Sequence, residues 1–272
     1  MADDDLHDFE RTAFGHDGKE RTVFRRGTGP AVIVISEMPG ISPKVADLAR
    51  RISDIGCTAV MPHLFGVPGR DPNPESAGTF GAVRYMLSSI VPACISREFA
   101  TFALGRTSPV VAWLRALAAV EHERCGGPGV GAVGMCFTGG FALAMAVDDR
   151  MLVPVLSQPS MPMSIGKKRQ HTIDISSTDL DQVKHRCAND GLEVLGLRFT
   201  SDRFVPDERF AFLREQLGDA FVAVELSDAD ANPDAATKPH SVLTEHLIDE
   251  VGTRTRQTLD EVLELFRRKL LV

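Results

Sequence analysis

The sequence near the middle of the chain reads Val130-Gly-Ala-Val-Gly134-Met-Cys136-Phe-Thr-Gly139-Gly140-Phe-Ala-Leu-Ala144. It begins with an apolar run, passes through a segment bracketed by glycines, and ends in small and apolar residues suited to a helix. A nucleophile elbow needs this layout, because small neighbours allow one side chain to lie exposed on a strained strand-to-helix turn. The segment therefore predicts a strand, a tight turn and a helix, with Cys136 at the tip of the turn.

The predicted turn has two consequences for the chemistry of Cys136. The positive end of the following helix favours a thiolate. The backbone N–H of Phe137 points toward any oxyanion that forms at the turn. The alternative is a buried structural cysteine, since free cysteines are among the most buried residues in proteins.

A second motif overlaps the first. Gly129, Gly131 and Gly134 match the G-x-G-x-x-G pattern of dinucleotide-binding proteins. In such proteins the glycines follow a strand and open a helix within the first βαβ unit, whereas here they lie before and inside the predicted strand. This position disfavours an NAD-binding oxidoreductase as the function.

Strands and helices alternate along most of the chain, as in βαβ units. The apolar run from Ala31 to Ser36 is typical of a strand buried on both faces of a parallel sheet. The other predicted strands are Thr58–Met61, Val130–Gly134, Leu152–Leu156, Val194–Phe199 and Phe221–Leu226. Helices are predicted from Pro43 to Gly56, within Val110–Val120, over Phe141–Val147 and Pro206–Leu217, and for the terminal segment through Leu259, Val262, Leu263, Phe266 and Leu270. The pattern predicts one α/β domain over residues 1–272, with a doubly wound, mostly parallel sheet flanked by helices.

Composition and charge narrow the function classes. With 43% hydrophobic and 25% charged residues, the chain is typical of a soluble globular protein. A net charge of −7 argues against nucleic acid as a partner. The acidic start and the lack of a long apolar run predict a cytoplasmic protein that neither enters nor crosses a membrane. Five cysteines without C-x-x-C spacing predict reduced thiols and no metal site.

Four polar residues are expected at one edge of the sheet. Glu37, Cys136 and Asp202 each follow a predicted strand directly, and His240 follows the last strand after a polar loop. The order nucleophile, acid, histidine is the order of α/β-hydrolase triads. Because parallel strands bring their carboxyl ends to one edge, these side chains should meet there. His246 is a weaker competitor for the role of the base.

These motifs resemble the dienelactone hydrolase family, which has the α/β-hydrolase fold. The matching segments are Ile35-Ser36-Glu37-Met38-Pro39-Gly40, Gly134-Met135-Cys136-Phe137-Thr138-Gly139-Gly140, Asp202-Arg203-Phe204-Val205-Pro206 and Pro239-His240-Ser241. They occur in the family's order and extend across most of the chain.

The resemblance implies a Cys136–His240–Asp202 triad that opens lactone or small ester bonds through an acyl-enzyme intermediate. It also implies that Glu37 lies beside the resting thiol and helps its proton to leave. The N–H groups of Phe137 and Met38 are expected to hold the oxyanion. A small-molecule lactone or ester is the implied partner, and no metal or organic cofactor is implied.

Two positions depart from the family pattern. Thr138 stands where the family commonly has glycine, which adds bulk at a crowded turn. Thr244 occupies the place of the arginine that binds the substrate carboxylate in the family member acting on dienelactone. Arg97 and Arg203 are the candidates to replace that contact. The prediction is therefore a substrate class, lactones or small esters, rather than dienelactone itself.

Two long connections, Gly66–Gly81 and Pro159–Ser177, are typical of lids or binding loops. A catalytically silent small-molecule binding protein with the same fold is the alternative function, because a fold does not determine function. The four polar residues at the sheet edge favour the enzyme, since a binding protein needs no thiol together with an acid-oriented base.

Overall fold

The computed structural model describes residues 2–72, 85, 88, 98–99, 106–161 and 170–272. Within these ranges the chain forms an eight-stranded sheet in which β2 is antiparallel to β1 and β4 and the other pairs are parallel. Its strands are β1 (Glu10–His16), β2 (Lys19–Arg26), β3 (Ala31–Ile35), β4 (Thr58–Pro62), β5 (Val130–Met135), β6 (Met151–Ser157), β7 (Val194–Phe199) and β8 (Phe221–Leu226). Their order is β1-β2-β4-β3-β5-β6-β7-β8. The prediction of a mostly parallel sheet is confirmed.

Helices cover both faces of the sheet. They are α1 (Pro43–Asp54), α2 (Val110–Cys125), α3 (Gly139–Met145), α4 (Ser177–Asn189), α5 (Asp207–Leu217) and α6 (Arg254–Leu270). Because strand side chains alternate between faces, Val32 and Val34 pack with α1 and α6, while Ile33 and Ile35 pack with α2 to α5. This is the doubly wound arrangement that the sequence predicts. None of the helices in the described ranges has the length and apolar character needed to cross a membrane.

The local sequence explains how β3 leads into α1. All residues of Ala31–Ile35 are fully buried, as expected for a β-branched run in the centre of a parallel sheet. The Ser42 hydroxyl then accepts a hydrogen bond from the Val45 N–H at 3.3 Å and caps the helix. Pro43 follows at the first helical position, where its missing N–H is not needed. The loop between them carries Glu37 and Met38.

A hairpin of β1 and β2 extends one edge of the sheet and is not among the predicted elements. Asp17 and Gly18 connect its strands with φ angles of 48° and 71°, the positive values that a type I′ turn requires. The Asp-Gly pair is the local signal for this hairpin. The strand β1 alternates between exposed and half-buried residues, so it lacks the continuous apolar run by which the central strands are recognised.

The carboxyl ends of the parallel strands lie along one edge of the sheet, where open α/β sheets bind their ligands. Glu37 lies beyond the end of β3, Cys136 follows β5, Gln158 follows β6, and Asp202 lies beyond β7. His240 lies in the segment between β8 and α6. The topology thus gathers residues that are far apart in the sequence.

Candidate active site

Cys136 lies at the tip of the turn between β5 and α3. Its φ angle is 55°, in the left-handed region that a residue with a side chain rarely adopts. Gly134 permits the turn, because a Cβ atom there would lie 2.2 Å from the carbonyl oxygen of Thr138. The turn continues as a 3-10 helix over Cys136–Thr138 before α3 begins. The strained backbone is the one that a nucleophile elbow requires.

The glycines of the dinucleotide pattern belong to β5 and to the residue before it. Gly131 and Gly134 lie within β5, and Gly129 comes directly before it. A Cβ atom on Gly131 would lie 2.8 Å from the Phe266 ring, so this glycine allows α6 to pack closely against β5. The place between strand and helix, where a dinucleotide loop belongs, is occupied by the Cys136 turn.

Thr138 supports the turn rather than crowding it. Its side chain is fully buried. The hydroxyl accepts a hydrogen bond from the Met135 N–H at 2.9 Å and lies 2.9 Å from the carbonyl oxygen of Ile35, to which it donates. A glycine could make neither contact. The threonine therefore ties the elbow to the end of β3, where the resemblance implied only added bulk.

Asp202 orients the His240 ring. The Asp202 Oδ2 atom lies 2.6 Å from His240 Nδ1, and Oδ1 accepts the Phe204 N–H at 2.9 Å. Asp202 is buried, so this carboxylate has little contact with water. Because Nδ1 is engaged, Nε2 is the nitrogen of His240 that remains for the sulfur. The exposed Phe204 ring lies 5.5 Å from the imidazole and flanks its side.

The pKa of His240 depends on its interaction with Cys136 as well as with Asp202. Burial alone would lower the pKa of His240, but the charge of Cys136 and hydrogen bonds with Asp202 and Cys136 raise this pKa well above its ordinary value. Cys136, His240 and Asp202 thus form a connected chain that ends at the buried carboxylate.

Ser160 is the other neighbour of the sulfur. Its hydroxyl oxygen lies 3.1 Å from Cys136 Sγ. Its backbone N–H donates a hydrogen bond to the Cys136 carbonyl oxygen at 2.9 Å. Ser160, in the segment after β6, is thereby joined to the elbow through both its backbone and its side chain.

Glu37 makes different contacts from those the resemblance implies. It is buried, and its Oε2 atom accepts hydrogen bonds from the Ser241 hydroxyl at 2.6 Å and the Gln158 amide at 3.1 Å. Its Oε1 atom accepts a hydrogen bond from the Thr244 hydroxyl. Within the described part of the chain, the hydrogen bonds of Glu37 thus go to the segment that follows His240 and to Gln158. Thr244, which stands in the place of the family's arginine, binds this carboxylate.

His246, the weaker competitor for the base, lies inside the loop that carries His240. It is almost fully buried. Its Nδ1 atom accepts the Ser241 N–H at 3.1 Å, and its Nε2 atom lies 3.1 Å from the carbonyl oxygen of Thr237. Both ring nitrogens are therefore used within the loop, which makes His246 a support for the backbone of the loop.

The backbone of the site is held by Arg209, a fully buried residue of α5. It donates hydrogen bonds to the carbonyl oxygens of Thr172 at 2.9 Å, Pro159 at 3.1 Å and Phe204 at 2.7 Å. Burial lowers the pKa of Arg209 to about 10, an effect that the charges of Asp202 and Cys136 oppose. At neutral pH Arg209 is therefore a buried cation that interacts with Asp202 and Cys136.

Three residues of the site, Gln158, Ser160 and Arg209, are absent from the sequence prediction. Gln158 and Ser160 come shortly after the predicted strand Leu152–Leu156. The rule that selects polar residues behind strands would have found them. Arg209 lies inside a predicted helix, and its burial depends on segments far away in the sequence. No local pattern marks it.

The remaining predicted residues are placed as follows. Phe137 is buried among the rings of Phe65, Phe99 and Phe141, and Met38 packs against the same core. Arg203 is exposed beside Asp202. Arg97 lies outside the described residues, as do parts of the segments Gly66–Gly81 and Pro159–Ser177. Among the described residues, no three His, Cys, Asp or Glu side chains lie close enough together to hold a metal ion.

Comparison with known proteins finds a matching family and similar structures. A family model described as the dienelactone hydrolase family matches residues 22–227. Three similar solved structures are a dienelactone hydrolase from Anabaena variabilis ATCC 29413, a dienelactone hydrolase-like promiscuous phosphotriesterase from metagenomic libraries, and a cold-adapted esterase from an Arctic intertidal metagenomic library. A comparison with proteins of curated function found no match.

These structures resemble the whole chain at low identity. The Anabaena protein is 14% identical with a TM-score of 0.56, over 97% of this chain and 100% of its own. The phosphotriesterase is 15% identical with a TM-score of 0.57, over 96% and 98%. The esterase is 14% identical with a TM-score of 0.56, over 98% and 97%. At such identities the likeness concerns the fold alone, and the predicted α/β-hydrolase fold is confirmed.

Proposed function

The chain belongs to the dienelactone hydrolase family, and from this premise we propose that it opens lactone or small carboxylic ester bonds with Cys136 as the nucleophile. The observation that carries the proposal is the connected chain of Cys136, His240 and Asp202 at a strained elbow. A structural cysteine needs neither a positive φ angle nor an imidazole oriented by a buried carboxylate. Hydrolysis by a cysteine triad needs both.

In the acylation step, the Cys136 thiolate attacks the substrate carbonyl carbon. A carbon–sulfur bond forms, and the electron pair of the C=O double bond moves to the oxygen. The N–H groups of Phe137 and Met38 are proposed to stabilise this oxyanion. The intermediate then collapses, the ester C–O bond breaks, and the His240 imidazolium gives its proton to the departing alkoxide. In a lactone the alkoxide stays attached to the acyl group, so the product is a ring-opened thioester.

In the deacylation step, His240 is neutral and takes a proton from water. The hydroxide attacks the thioester carbonyl, the carbon–sulfur bond breaks, and the carboxylic acid leaves while the sulfur returns to the thiolate. Asp202 stabilises the imidazolium that forms and keeps its Nε2 atom directed at the sulfur. The 2.6 Å contact between Asp202 and His240 supports this role.

The substrate class follows from the polar groups at the site. Thr244 replaces the arginine that the family uses for a substrate carboxylate, and its hydroxyl is already bound to Glu37. Arg203 is exposed beside Asp202 and remains the described candidate for such a contact, with Arg97 as the other predicted one. We therefore favour neutral lactones and small esters over dienelactone as substrates.

The direct test is the Cys136→Ala variant, assayed with p-nitrophenyl acetate and a panel of lactones. Loss of the attacking sulfur should lower turnover roughly a thousandfold or more. The matched control is Cys187→Ala, since Cys187 lies in α4 away from the triad and should leave turnover unchanged. Circular dichroism establishes that both variants are folded. Turnover of Cys136→Ala at the wild-type rate would refute the assignment.

Selective thiol labelling separates the enzyme from the silent binding protein. Burial raises the pKa of Cys57 to about 11 and also raises the pKa values of Cys125 and Cys187, which keeps these thiols protonated. Cys136, beside the imidazolium of His240, should react with iodoacetamide first at neutral pH. Peptide mapping follows all five cysteines, Cys94 included. Equal and slow labelling of all five would support the silent protein.

A further inference from the structure

The segment after β6 presents a hydroxyl to the sulfur of the elbow. Ser160 Oγ lies 3.1 Å from Cys136 Sγ, a hydrogen-bonding distance for sulfur. Ser160 is only 9% exposed, so water competes little for its hydroxyl. The contact involves the atom that attacks the substrate in the proposed reaction, and neither the motifs nor the family resemblance assigns a role to this serine.

Hydrogen bonds on each of three successive residues hold Ser160 in place. The Gln158 side chain donates to Glu37 and accepts the Val242 N–H at 3.2 Å. The Pro159 carbonyl oxygen accepts from Arg209 at 3.1 Å. The Ser160 N–H donates to the Cys136 carbonyl oxygen at 2.9 Å. A segment held in this way can fix the hydroxyl with little loss of entropy when the bond to sulfur forms.

The backbone of this segment is strained as well as bound. Gln158 has a φ angle of 36°, which costs free energy for a residue with a side chain. Gly139 accommodates the close approach of the segment to the elbow, since a Cβ atom there would lie 2.7 Å from Pro159 Cα. The strained turn thus brings residue 160 back over the elbow instead of leading the chain away from the sheet.

The charged groups around the sulfur decide which atom donates the proton. His240, from the loop after β8, and Arg209, from α5, both interact electrostatically with Cys136. Asp202 is bound to His240, and Glu37 is bound to Ser241 and neighbouring donors. In the proposed reaction the sulfur attacks as a thiolate. A thiolate can only accept a hydrogen bond, so the hydroxyl must be the donor.

We infer that Ser160 is a further catalytic residue, whose hydroxyl donates a hydrogen bond to the Cys136 thiolate and stabilises this form of the nucleophile. This inference rests on the proposed function in taking Cys136 as the nucleophile. The bond acts in the free enzyme: once the sulfur has formed a thioester, it is a poor acceptor and the hydroxyl is released. Ser160 therefore determines how much enzyme is ready to attack, and its effect is greatest at low pH.

The test compares Ser160→Ala with wild type across pH, in the intact protein and without substrate. Removing one charge-assisted hydrogen bond should slow alkylation of Cys136 by iodoacetamide about tenfold near pH 6. As the pH rises and the thiolate forms without help from Ser160, the rates should converge to within about twofold. The ultraviolet absorbance of the thiolate, with Cys136→Ala as the blank, should show the same change.

Two further variants separate a hydrogen bond from mere packing. Ser160→Thr keeps the hydroxyl and should retain the wild-type profile. Ser53→Ala removes a hydroxyl on α1, where it binds the Arg50 carbonyl oxygen, and should also leave the profile unchanged. A purely structural role of Ser160 predicts slower alkylation by the same factor at every pH. That result, or a Ser160→Ala profile equal to wild type, overturns the inference.

The outcome is distinguishable from failure of the proposed function. If wild type and Cys136→Ala hydrolyse esters and lactones equally, the proposed function fails, whatever Ser160 does to the thiolate. If hydrolysis requires Cys136 but the alkylation profile is insensitive to Ser160→Ala, only the inference about Ser160 fails. Alkylation needs no substrate, so the two results are read independently.

Discussion

Thr138 and Thr244 stand where the family resemblance implies glycine and arginine, and both hydroxyls bind within the site. Thr138 joins the elbow to the Ile35 carbonyl at the end of β3. Thr244 joins the His240 loop to Glu37, just beyond the same strand. Each threonine gives up a property of the residue it replaces, backbone freedom in one case and positive charge in the other. What each provides is a hydroxyl donor, which Thr138 directs at a carbonyl oxygen and Thr244 at a carboxylate.

Glu37 binds Thr244 and also Ser241 and Gln158, so the role of its charge can be tested directly. Glu37→Gln keeps the size of the side chain but replaces one acceptor oxygen by an amide that cannot accept from Ser241 or Thr244. We expect the acylation rate to fall roughly tenfold, the equivalent of one weakened charge-assisted hydrogen bond. Substrate binding should change less. Single-turnover kinetics with p-nitrophenyl acetate separate the two quantities.

The control for this experiment is Glu20→Gln, because Glu20 is exposed on β2. It should leave both acylation and binding at their wild-type values. If Glu37→Gln weakens binding alone and acylation is unaffected, Glu37 has no part in preparing the thiolate or in holding the His240 loop.

At the level of elements, the hairpin at the sheet edge is joined to the layer of helices by a buried ion pair. Arg25 of β2 contacts Glu121 of α2 through Nε at 2.8 Å and Nη2 at 2.5 Å. Both side chains are buried, and Glu121 is fully so. A buried charge has lost its hydration, so it is stable only beside an opposite charge. The pair therefore sets the position of α2 relative to the hairpin.

Breaking this pair should destabilise the protein strongly. Glu121→Ala leaves the Arg25 guanidinium buried and without its main partner, and we expect the free energy of unfolding to fall by about 3 kcal/mol. Urea denaturation followed by circular dichroism measures the change. Glu123→Ala, at an exposed position of the same helix, should change stability by less than about 0.5 kcal/mol. Equal effects of the two variants would contradict the structural role of the pair.

For the molecule as a whole, Asp174 links stability to pH. It is 7% exposed, and burial raises its pKa to about 7, an effect that a hydrogen bond with Ser108 opposes. The Ser108 hydroxyl contacts both Asp174 and the Phe99 carbonyl oxygen but has one hydrogen. When Asp174 takes up a proton it can donate to Ser108, which leaves the single Ser108 hydrogen for the Phe99 carbonyl oxygen. The native structure thus favours the neutral acid.

The consequence is a loss of stability as pH rises. Between the ordinary pKa of 3.8 and the folded pKa of about 7, the native state holds a proton that the unfolded chain has released. Stability falls through this window, and above it the native state carries a penalty of roughly 4 kcal/mol from this one group. Below pH 3.8 both states are protonated and the penalty is absent.

Asp174→Asn removes this titration while keeping a donor for Ser108. Its free energy of unfolding should exceed that of wild type by a few kcal/mol near pH 8 and match it near pH 4. Thermal or urea denaturation at both pH values measures the difference. Asp181→Asn, at an exposed position of α4, serves as the matched control. A gain that is equal at both pH values would show that packing, and not the proton on Asp174, is responsible.

Much of the architecture is encoded locally. The run at Ala31 to Ile35 is apolar and β-branched throughout, and a central parallel strand is the environment that suits it. Gly134 and Gly139 mark the elbow, because each lies where a Cβ atom would meet backbone. Neighbouring residues in the sequence decide these features, so the strand, the turn and the edge position of Cys136, Asp202 and His240 could be predicted without coordinates.

The partners of the polar side chains are decided only by the tertiary structure. Glu37 is bound by Ser241 and Thr244, which lie about two hundred residues further along the chain. Ser160 contacts the sulfur from the segment that follows the neighbouring strand β6. His246 is occupied within its loop. Sequence periodicity indicates which side chains are buried and which face of the element they are on. A hydrogen bond requires two atoms to meet within a few tenths of an ångström. That precision comes from the packing of strands and loops that are distant in the sequence.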